Sequence, residues 1–300
     1  MSFHRKLRVA LQPLLDAARQ DSELARMSGH MLIFGMGYTA SRLAASLASD
    51  GWEVTGIRRT GGDGILAFDD TPTIHSALAR ATHILSSVPP TPDSGDSALL
   101  RYGAAIAACP ARWVGYLSST GVYGDAQGAW VDECASIGAG RRSARSEADL
   151  AWQNLRDDVR VFRLPGIYGP GRSALDRVRE GKVHRIDVPN QIFSRIHVDD
   201  IVSAVHASFA GPAGIYNIAD DLPCSQNAVI EHACDILGTD WPVMQSLEEA
   251  QLSPMARGFY AENRRVSNNK AKRLLGWQPT YPDFKQGLAA ISVAEGEKRD

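Results

Sequence analysis

The 300-residue chain is 44% hydrophobic and carries 32 basic and 34 acidic side chains, giving a formal net charge of −2. This length can bury one large α/β core, or a nucleotide-binding domain with a smaller companion, and the near-neutral charge disfavours nucleic acid and anionic membranes as partners. No stretch approaches the roughly 20 apolar residues of a membrane span. The four cysteines, whose spacing does not suit metal ligands, are Cys109, Cys134, Cys224 and Cys234. We therefore predict a cytoplasmic protein with buried free thiols and no metal site.

Residues 1–30 precede the first predicted strand and mix arginine, leucine and acidic residues. They lack the long apolar run of a signal peptide, and Asp16, Asp21 and Glu23 argue against a transit peptide. We interpret this segment as an N-terminal extension, either an appended helix or a start-site artefact.

From residue 31 onward, short apolar runs alternate with helical stretches, a pattern typical of βαβ units and a parallel sheet. The first helix is predicted over residues 39–50, and the predicted buried strands are residues 31–34, 52–57, 65–68, 83–87, 113–118 and 159–164. These elements predict the α/β class, with a Rossmann-type doubly wound parallel sheet whose ligands bind at the carboxyl ends of the strands. We expect residues 31–165 to form an NAD(P)-binding domain. The turn-rich residues 166–300 are expected to form a smaller C-terminal substrate-binding lobe, with segments that return to the first domain.

The first predicted strand runs directly into a glycine-containing turn, residues 35–40, and then into a helix. In this context Gly35 permits the tight turn, Gly37 lets a diphosphate approach the backbone, and Ala40 lets the helix pack close to the strand. The N–H groups at the helix start, including those of Tyr38 and Thr39, are expected to bind the diphosphate. The alternative is a glycine-rich turn without a ligand, which the strand–turn–helix context disfavours.

The end of the second predicted strand carries Arg58 and Arg59, where an NAD-dependent enzyme usually places an acid. Guanidinium groups there can hold a 2′-phosphate by charge-assisted hydrogen bonds, so we predict NADP as the cofactor, with NAD possible. The alternative is a pair of solvated arginines. Asp69 is expected either to accept a hydrogen bond from adenine or to cap a helix. Val88 and the adjoining Pro89 are expected to line the nicotinamide side or to shape the loop.

Several later segments together are similar to one family. The segments are residues 116–125, 163–171, 197–200, 216–219 and 275–279. With the glycine turn they resemble the extended short-chain dehydrogenases/reductases, the NAD(P)-dependent epimerase/dehydratases, over residues 31–292. The resemblance implies that Ser119, three residues before Val-Tyr-Gly, is the catalytic hydroxyl. It also implies an NAD(P) cofactor and a possible homodimer.

The chain departs from this family in two ways. Its glycine motif is GxGxxA, as in atypical members, in place of GxxGxxG. The family's catalytic Tyr-x-x-x-Lys pair cannot be present at its usual place, because residues 124–167 contain no tyrosine and residues 7–181 contain no lysine. The one formal match, Tyr281 with Lys285, lies far beyond that place, and we interpret it as a chance match. If Glu147 matches the glutamate that follows this pair, Ala139 and Ser143 occupy the tyrosine and lysine positions.

The remaining catalytic candidates lie near the expected active site. Ser119 can donate a hydrogen bond to a substrate oxygen, and Tyr123 is close enough in sequence to reach the nicotinamide. Arg141 and Arg142 can supply positive charge to an anionic substrate or to the cofactor ribose, or they belong to a solvated helix face. Glu133 either faces the substrate or, more simply, forms a salt bridge.

His197 precedes two aspartates at a predicted helix start, and we expect Asp199 or Asp200 to cap that helix. Catalysis by His197 is the less favoured alternative. Two functions therefore remain open. The first is an atypical NADP-dependent oxidoreductase or epimerase/dehydratase-like enzyme acting on a small molecule. The second is a non-catalytic NADP(H)-binding sensor or regulatory protein.

Overall fold

A computed structural model describes residues 29–138 and 143–296. Its centre is a seven-stranded parallel sheet in the order β11-β7-β5-β4-β1-β2-β3, where strands are numbered along the chain. The strands of this sheet are β1 (His30–Phe34), β2 (Glu53–Arg58), β3 (Ile65–Ala67), β4 (His83–Ser86), β5 (Trp113–Ser119), β7 (Val159–Leu164) and β11 (Gly214–Asn217). The predicted Rossmann-type α/β class is confirmed.

Three short parallel strand pairs lie outside the central sheet. They are β6 (Trp130–Val131) with β13 (Arg265–Val266), β8 (Gly166–Tyr168) with β10 (Arg195–His197), and β9 (Arg185–Ile186) with β12 (Met244–Gln245). The helices in the described part of the chain are α1 (Tyr38–Ser49), α2 (Thr71–Arg80), α3 (Ser97–Ala108), α4 (Ser143–Gln153), α5 (Ala174–Arg179), α6 (Val198–Ser208), α7 (Gln226–Leu237), α8 (Pro254–Phe259), α9 (Asn269–Leu275) and α10 (Phe284–Gly296). A 3₁₀ turn, Thr120–Tyr123, follows β5.

Helices cover both faces of the sheet, which explains why its strands are continuous apolar runs. On one face α1 and α6 bury Leu43, Leu47 and Ile201 against the strands. On the other face the core includes Ile74 of α2 and Trp152 of α4. Each such side chain contributes roughly 1.5–3 kcal/mol when fully buried, so the sheet is held rigidly between two apolar layers.

The strand order places β1 in the interior of the sheet, beside the point where the order reverses. The chain moves from β1 to β2 and β3 on one side, and returns to β4 and β5 on the other. The carboxyl ends of β1 and β4 therefore flank the topological switch point, where ligands of doubly wound sheets bind. The loops that follow these two strands carry the glycine turn and Val88.

The four cysteines are free, but the prediction that they are buried holds only for Cys234, because Cys109 and Cys224 are half-buried and Cys134 is exposed. Cys134 lies in the irregular segment between β6 and α4, where its N–H group bonds the Asp132 carboxylate. Among the described residues, no helix is long and apolar enough to cross a membrane. Most of the predicted N-terminal extension, as well as Ala139, Arg141 and Arg142, lies outside the described residues.

Candidate functional site

The glycine turn is fixed in place by hydrogen bonds to both neighbouring strands. Gly35 has φ +88°, and a Cβ atom there would lie 3.0 Å from Ser87 Oγ and Val88 Cγ2. The N–H groups of Gly35 and Met36 both donate to the Ile57 carbonyl, at 3.0 and 3.3 Å, and the Ser87 hydroxyl donates to the Gly35 carbonyl. A side chain at position 35 would therefore be strained and crowded.

The start of α1 is open and lined by amide groups. Gly37 is the N-cap residue, and a Cβ atom built there would meet nothing within 4 Å apart from its chain neighbours and the backbone of α1. No side chain caps this end, and the first turn holds no acid. The first N–H groups of a helix, here those of Tyr38, Thr39 and Ala40, lack intrahelical partners and lie at its positive end. This terminus therefore suits a diphosphate.

Arg58 and Arg59 are both exposed at the end of β2. The Arg58 Nε group donates to the Met36 carbonyl at 2.9 Å, which holds this guanidinium beside the glycine turn. Within the described residues, neither arginine forms an ion pair with a carboxylate. Both remain available to an anionic group on a ligand.

Asp69 does not cap α2, so that alternative is wrong. The cap is Asp70, whose carboxylate accepts the Thr73 N–H at 3.3 Å. The Asp69 carboxylate is instead bonded by Arg101 at 2.6 Å, although it is 80% exposed. Contact between Asp69 and adenine stays a prediction.

The segment after β4 lies beside the glycine turn. Val88 is half-buried, and its Cγ2 atom is the close neighbour of the space beyond Gly35, whereas Pro89 is exposed. A contact of either residue with nicotinamide stays a prediction.

Ser119 ends β5 and is half-buried. Its Oγ atom accepts the Gly121 N–H at 3.1 Å, which starts the 3₁₀ turn and leaves the hydroxyl proton free to donate. The preceding Ser118 is buried and donates to Asp149 Oδ2 at 2.5 Å. Successive strand residues point to opposite faces, so only one of the two serines is committed to the interior network.

Tyr123 belongs to a buried polar network. Arg163 donates to both Asp149 oxygens, at 3.1 and 2.8 Å, and to the Tyr123 hydroxyl at 3.0 Å. Tyr123 donates to Asn217 Oδ1 at 2.7 Å, and burial raises its pKa above the ordinary value. The Asn217 N–H in turn donates to Glu133 at 2.7 Å, so Glu133 serves a backbone group and forms no salt bridge within the described residues. This geometry argues against Tyr123 as a proton donor to a substrate.

The start of α4 is where the family resemblance, with Glu147 as its reference, places the missing Tyr-Lys pair. Ser143 and Glu147 are exposed, and Arg145 is half-buried. Ser146 is buried, and its hydroxyl has no hydrogen-bond partner in the described structure. The described part of α4 therefore presents hydroxyl groups and a guanidinium, and no phenol or amine, near its first turn.

His197 itself caps α6, so the expectation that Asp199 or Asp200 would do so is wrong. Its Nδ1 atom accepts the Asp199 N–H at 3.2 Å, and its ring packs against Tyr168 and Tyr281. Burial lowers the pKa of His197 to about 4, which favours a neutral ring that accepts through Nδ1. This is a structural role, and sequence reasoning missed it because histidine is an uncommon cap.

An open cleft of about 590 Å³ lies away from the glycine turn, between the β6–β13 pair and α9. Its lining residues are Trp130, Val131, Asp132, Ala135, Asp220, Asp221, Val266, Ser267, Asn268, Asn269 and Lys272. No predicted cofactor residue is among them. Asp220 is only 1% exposed, and burial raises its pKa to about 8.

Asp220→Asn is expected to change the pH dependence of stability. Between about pH 4 and pH 8 the unfolded Asp220 ionises while the folded one keeps its proton, so the folded state binds more protons and the free energy of unfolding falls as pH rises. The variant lacks this contribution and keeps an acceptor for the Leu222 N–H. Thermal unfolding at pH 5 and pH 8 tests this. The variant should gain stability relative to the wild type at pH 8, and equal pH slopes would contradict the assignment.

No family model matches the chain. Among curated proteins, the protein YeeZ of Escherichia coli K12 is 28% identical over 288 residues, covering 84% of this chain and 96% of YeeZ. A 3-diazoavenalumate denitrifying reductase of a Streptomyces species is 32% identical over 140 residues, which is 43% of this chain and 45% of the reductase.

Solved structures share the whole fold. A functionally unknown conserved protein from Silicibacter pomeroyi is 39% identical with a TM-score of 0.79, covering 89% of this chain and 99% of that one. The human epimerase family protein SDR39U1 with NADPH is 16% identical, with a TM-score of 0.70 over 88% of this chain and 99% of its own. MoeE5 in complex with UDP-glucuronic acid and NAD is 19% identical, with a TM-score of 0.70 over 90% and 100%. The fold implied by the resemblance is therefore confirmed.

Proposed function

The chain belongs to one family with the Silicibacter pomeroyi protein and has the fold of the NAD(P)-dependent epimerase/dehydratases, and on this premise we propose that it is an atypical NAD(P)-dependent enzyme that prefers NADP. Its substrate is a small molecule with a carbonyl or alcohol group. The observation that carries the proposal is the open, uncapped start of α1 at the switch point of the sheet.

The residues present fit a dinucleotide. Apart from its chain neighbours and the backbone of α1, nothing lies within 4 Å of a Cβ atom built on Gly37, which leaves room for a diphosphate against the amide groups of Tyr38, Thr39 and Ala40. Arg58 is held beside the same turn and is unpaired within the described residues, as a ligand for a 2′-phosphate should be. The human structural neighbour contains NADPH and MoeE5 contains NAD, which supports this class of cofactor.

We place the polarising group at Ser119. When bound, the nicotinamide supplies hydride transfer to or from a substrate carbon. The Ser119 hydroxyl, whose oxygen already accepts the Gly121 N–H, donates a hydrogen bond to the reacting oxygen and orients it. A serine hydroxyl polarises this oxygen without being a strong acid, so the proton itself comes from water or from the substrate.

Ser119→Ala is expected to lower kcat/KM at least tenfold, because it removes one hydrogen bond to an oxygen that becomes more negative during reduction. NADPH affinity should stay within about twofold of the wild-type value, since the Ser119 hydroxyl does not belong to the nucleotide cradle. By nucleotide cradle we mean the glycine turn, residues 35–37, and the first amide groups of α1. Steady-state rates on a panel of carbonyl compounds, with NADPH oxidation followed by absorbance, measure this effect. Ser118→Ala is the comparison variant for loss of a buried bond. An unchanged rate in Ser119→Ala would remove this residue from the chemistry.

A non-catalytic NADP(H) sensor is the second candidate, and the Tyr123 geometry favours it. The Tyr123 hydroxyl is bonded to Arg163 and Asn217 in the interior, and the described part of α4 carries no lysine or tyrosine. A sensor would bind NADPH as tightly as an enzyme does, yet show no turnover with any carbonyl or alcohol. Wild-type binding without measurable turnover across that panel selects this alternative.

We further propose a homodimer formed through the helices of the nucleotide-binding domain. Leu100 of α3 and Leu150 of α4 are 73% and 46% exposed, and apolar side chains of this size are commonly covered in an interface. We also propose that the chain divides at residue 165 into a nucleotide-binding domain and a smaller substrate-binding lobe. We propose a cytoplasmic location.

A further inference from the structure

We propose that Arg172, which lies outside the glycine motif, binds the cofactor diphosphate at the start of α1. The inference rests on the proposed cofactor site and adds to it a cation delivered by the turn that follows β8. Arg172 is exposed, and its guanidinium carbon lies 5.6 Å from the centre of the Tyr38 ring. Tyr38 is the first residue of α1, so the Arg172 guanidinium lies against the side chain that begins this helix, within an arginine's reach of its amide groups.

The turn that carries Arg172 is built to stay in this place. Gly169 and Arg172 exchange two backbone hydrogen bonds, at 3.2 and 2.9 Å, which closes a tight turn. The Tyr38 hydroxyl donates to the Pro170 carbonyl at 3.0 Å. A Cβ atom on Gly169 would lie 2.5 Å from the Tyr38 hydroxyl oxygen and 2.6 Å from Val198 Cγ1. The turn therefore packs so closely against the Tyr38 side chain and against Val198, the first residue of α6, that a side chain at position 169 would clash.

Neighbouring charges leave Arg172 available. Arg42, the other cation beside Tyr38, forms a bidentate ion pair with Asp199 at 2.5 and 2.8 Å. The Asp176 carboxylate accepts both the N–H and the hydroxyl of Ser173, each at 2.7 Å. Among the described residues, Arg172 has no carboxylate partner and contacts the Tyr38 ring as a cation–π pair. An arginine held this way can turn to a phosphate oxygen without breaking an ion pair.

Arg172 is then a third cation for the cofactor, and its target differs from that of the two arginines at the end of β2. Arg58 and Arg59 are assigned to the 2′-phosphate, which only NADP carries. The diphosphate is common to NADP and NAD. Loss of Arg172 should therefore weaken both cofactors equally, whereas loss of the β2 arginines should weaken NADPH alone.

The test is titration calorimetry of the full chain with NADPH and with NADH, comparing wild type, Arg172→Gln, Arg172→Lys and Arg177→Gln. Arg177 is an arginine five residues along the chain whose guanidinium donates to the Lys182 carbonyl. Arg177→Gln removes the same charge as Arg172→Gln and therefore controls for the change in net charge. We expect Arg172→Gln to raise both dissociation constants roughly tenfold, the effect of one charge-assisted hydrogen bond at a solvent-accessible site. Arg172→Lys should recover part of the loss, and Arg177→Gln should bind as the wild type does. The wild-type constants should also rise more steeply with KCl than those of Arg172→Gln.

The outcomes separate the two proposals. If the wild type binds both cofactors and Arg172→Gln binds them equally well, the Arg172 assignment is overturned while the cofactor site stands. If Arg172→Gln loses NADPH affinity alone, Arg172 contacts the 2′-phosphate and the diphosphate assignment is wrong. If the wild type binds neither cofactor, both proposals fail. Thermal unfolding without ligand should be unchanged by Arg172→Gln, and a large loss of stability there would instead assign Arg172 to the fold.

Discussion

Replacing Arg58 and Arg59 together by alanine is expected to weaken NADPH binding roughly 10- to 100-fold and to leave NADH binding nearly unchanged. The reason is that one charge-assisted hydrogen bond contributes about 1.5–3 kcal/mol, and tenfold in affinity corresponds to about 1.4 kcal/mol, so the expected range is the loss of about one such bond to the 2′-phosphate. Both side chains are exposed, so their removal leaves the core intact. Fluorescence titration of each cofactor measures the ratio of the two affinities.

The single variants assign the effect within this pair. Arg58 also donates to the Met36 carbonyl, so Arg58→Ala removes one hydrogen bond to the glycine turn as well as a charge, while the bonds from Gly35 and Met36 to Ile57 still hold the turn. Arg59→Ala removes the charge alone and is the cleaner comparison. If the double variant keeps the wild-type preference for NADPH over NADH, these arginines are solvated surface residues and the specificity lies elsewhere.

Asp149→Ala is expected to lower the free energy of unfolding by about 3–5 kcal/mol, the cost of leaving one partner of a buried ion pair uncompensated. Asp149 is fully buried and Arg163 is 2% exposed, and the carboxylate also accepts bonds from Ser118 and Gln153. The variant leaves the Arg163 guanidinium with only the Tyr123 hydroxyl. Urea unfolding at neutral pH, compared at an unchanged m value, gives the difference.

The matched control is an exposed ion pair. Lys182 and Glu180 lie 3.0 Å apart and are 73% and 55% exposed, so Lys182→Ala should change the free energy of unfolding by less than about 1 kcal/mol. Equal effects of Asp149→Ala and Lys182→Ala on the free energy of unfolding would mean that water reaches the network around Arg163 and that this network does not stabilise β7 and α4.

The strands of the sheet were predictable because burial on both faces leaves a direct signal in the sequence. The predicted strand over residues 159–164 coincides with β7, and β1, β2, β4 and β5 differ from their predictions by one residue at one or both ends. The two-residue strands were not predictable. β6 and β13 pair across more than 130 residues, and two residues carry no periodicity.

The candidate site divides in the same way. A strand, a glycine turn and a helix in register identify the cradle, since each glycine has a local backbone reason. Arg172 could not be found, because its contact with Tyr38 joins residues 134 positions apart through a turn. Arg163 and Asp149 were missed for a different reason. Charged residues are usually solvated, and nothing in their spacing indicates a shared buried network.

The chain therefore lacks the Tyr-Lys pair at its usual place but keeps an open nucleotide cradle and the exposed Arg58 and Arg59. Tyr123 is held in the interior by Arg163 and Asn217, and this supports the proposal that Ser119 acts on a substrate oxygen. An enzyme of this kind would depend on hydride transfer and polarisation more than on a side-chain acid.

Calorimetric titration of NADPH into the wild type and into Gly37→Val tests the cradle most directly. Apart from its chain neighbours and the backbone of α1, nothing lies within 4 Å of a Cβ atom built at position 37, so we expect the ligand-free fold to accept a valine whose methyl groups enter the space assigned to the diphosphate. We predict saturable NADPH binding by the wild type, at least a tenfold loss in Gly37→Val, and equal thermal stability of the two without ligand. Failure of the wild type to bind NADPH or NADH at millimolar concentration, or undiminished binding by Gly37→Val, would contradict the account.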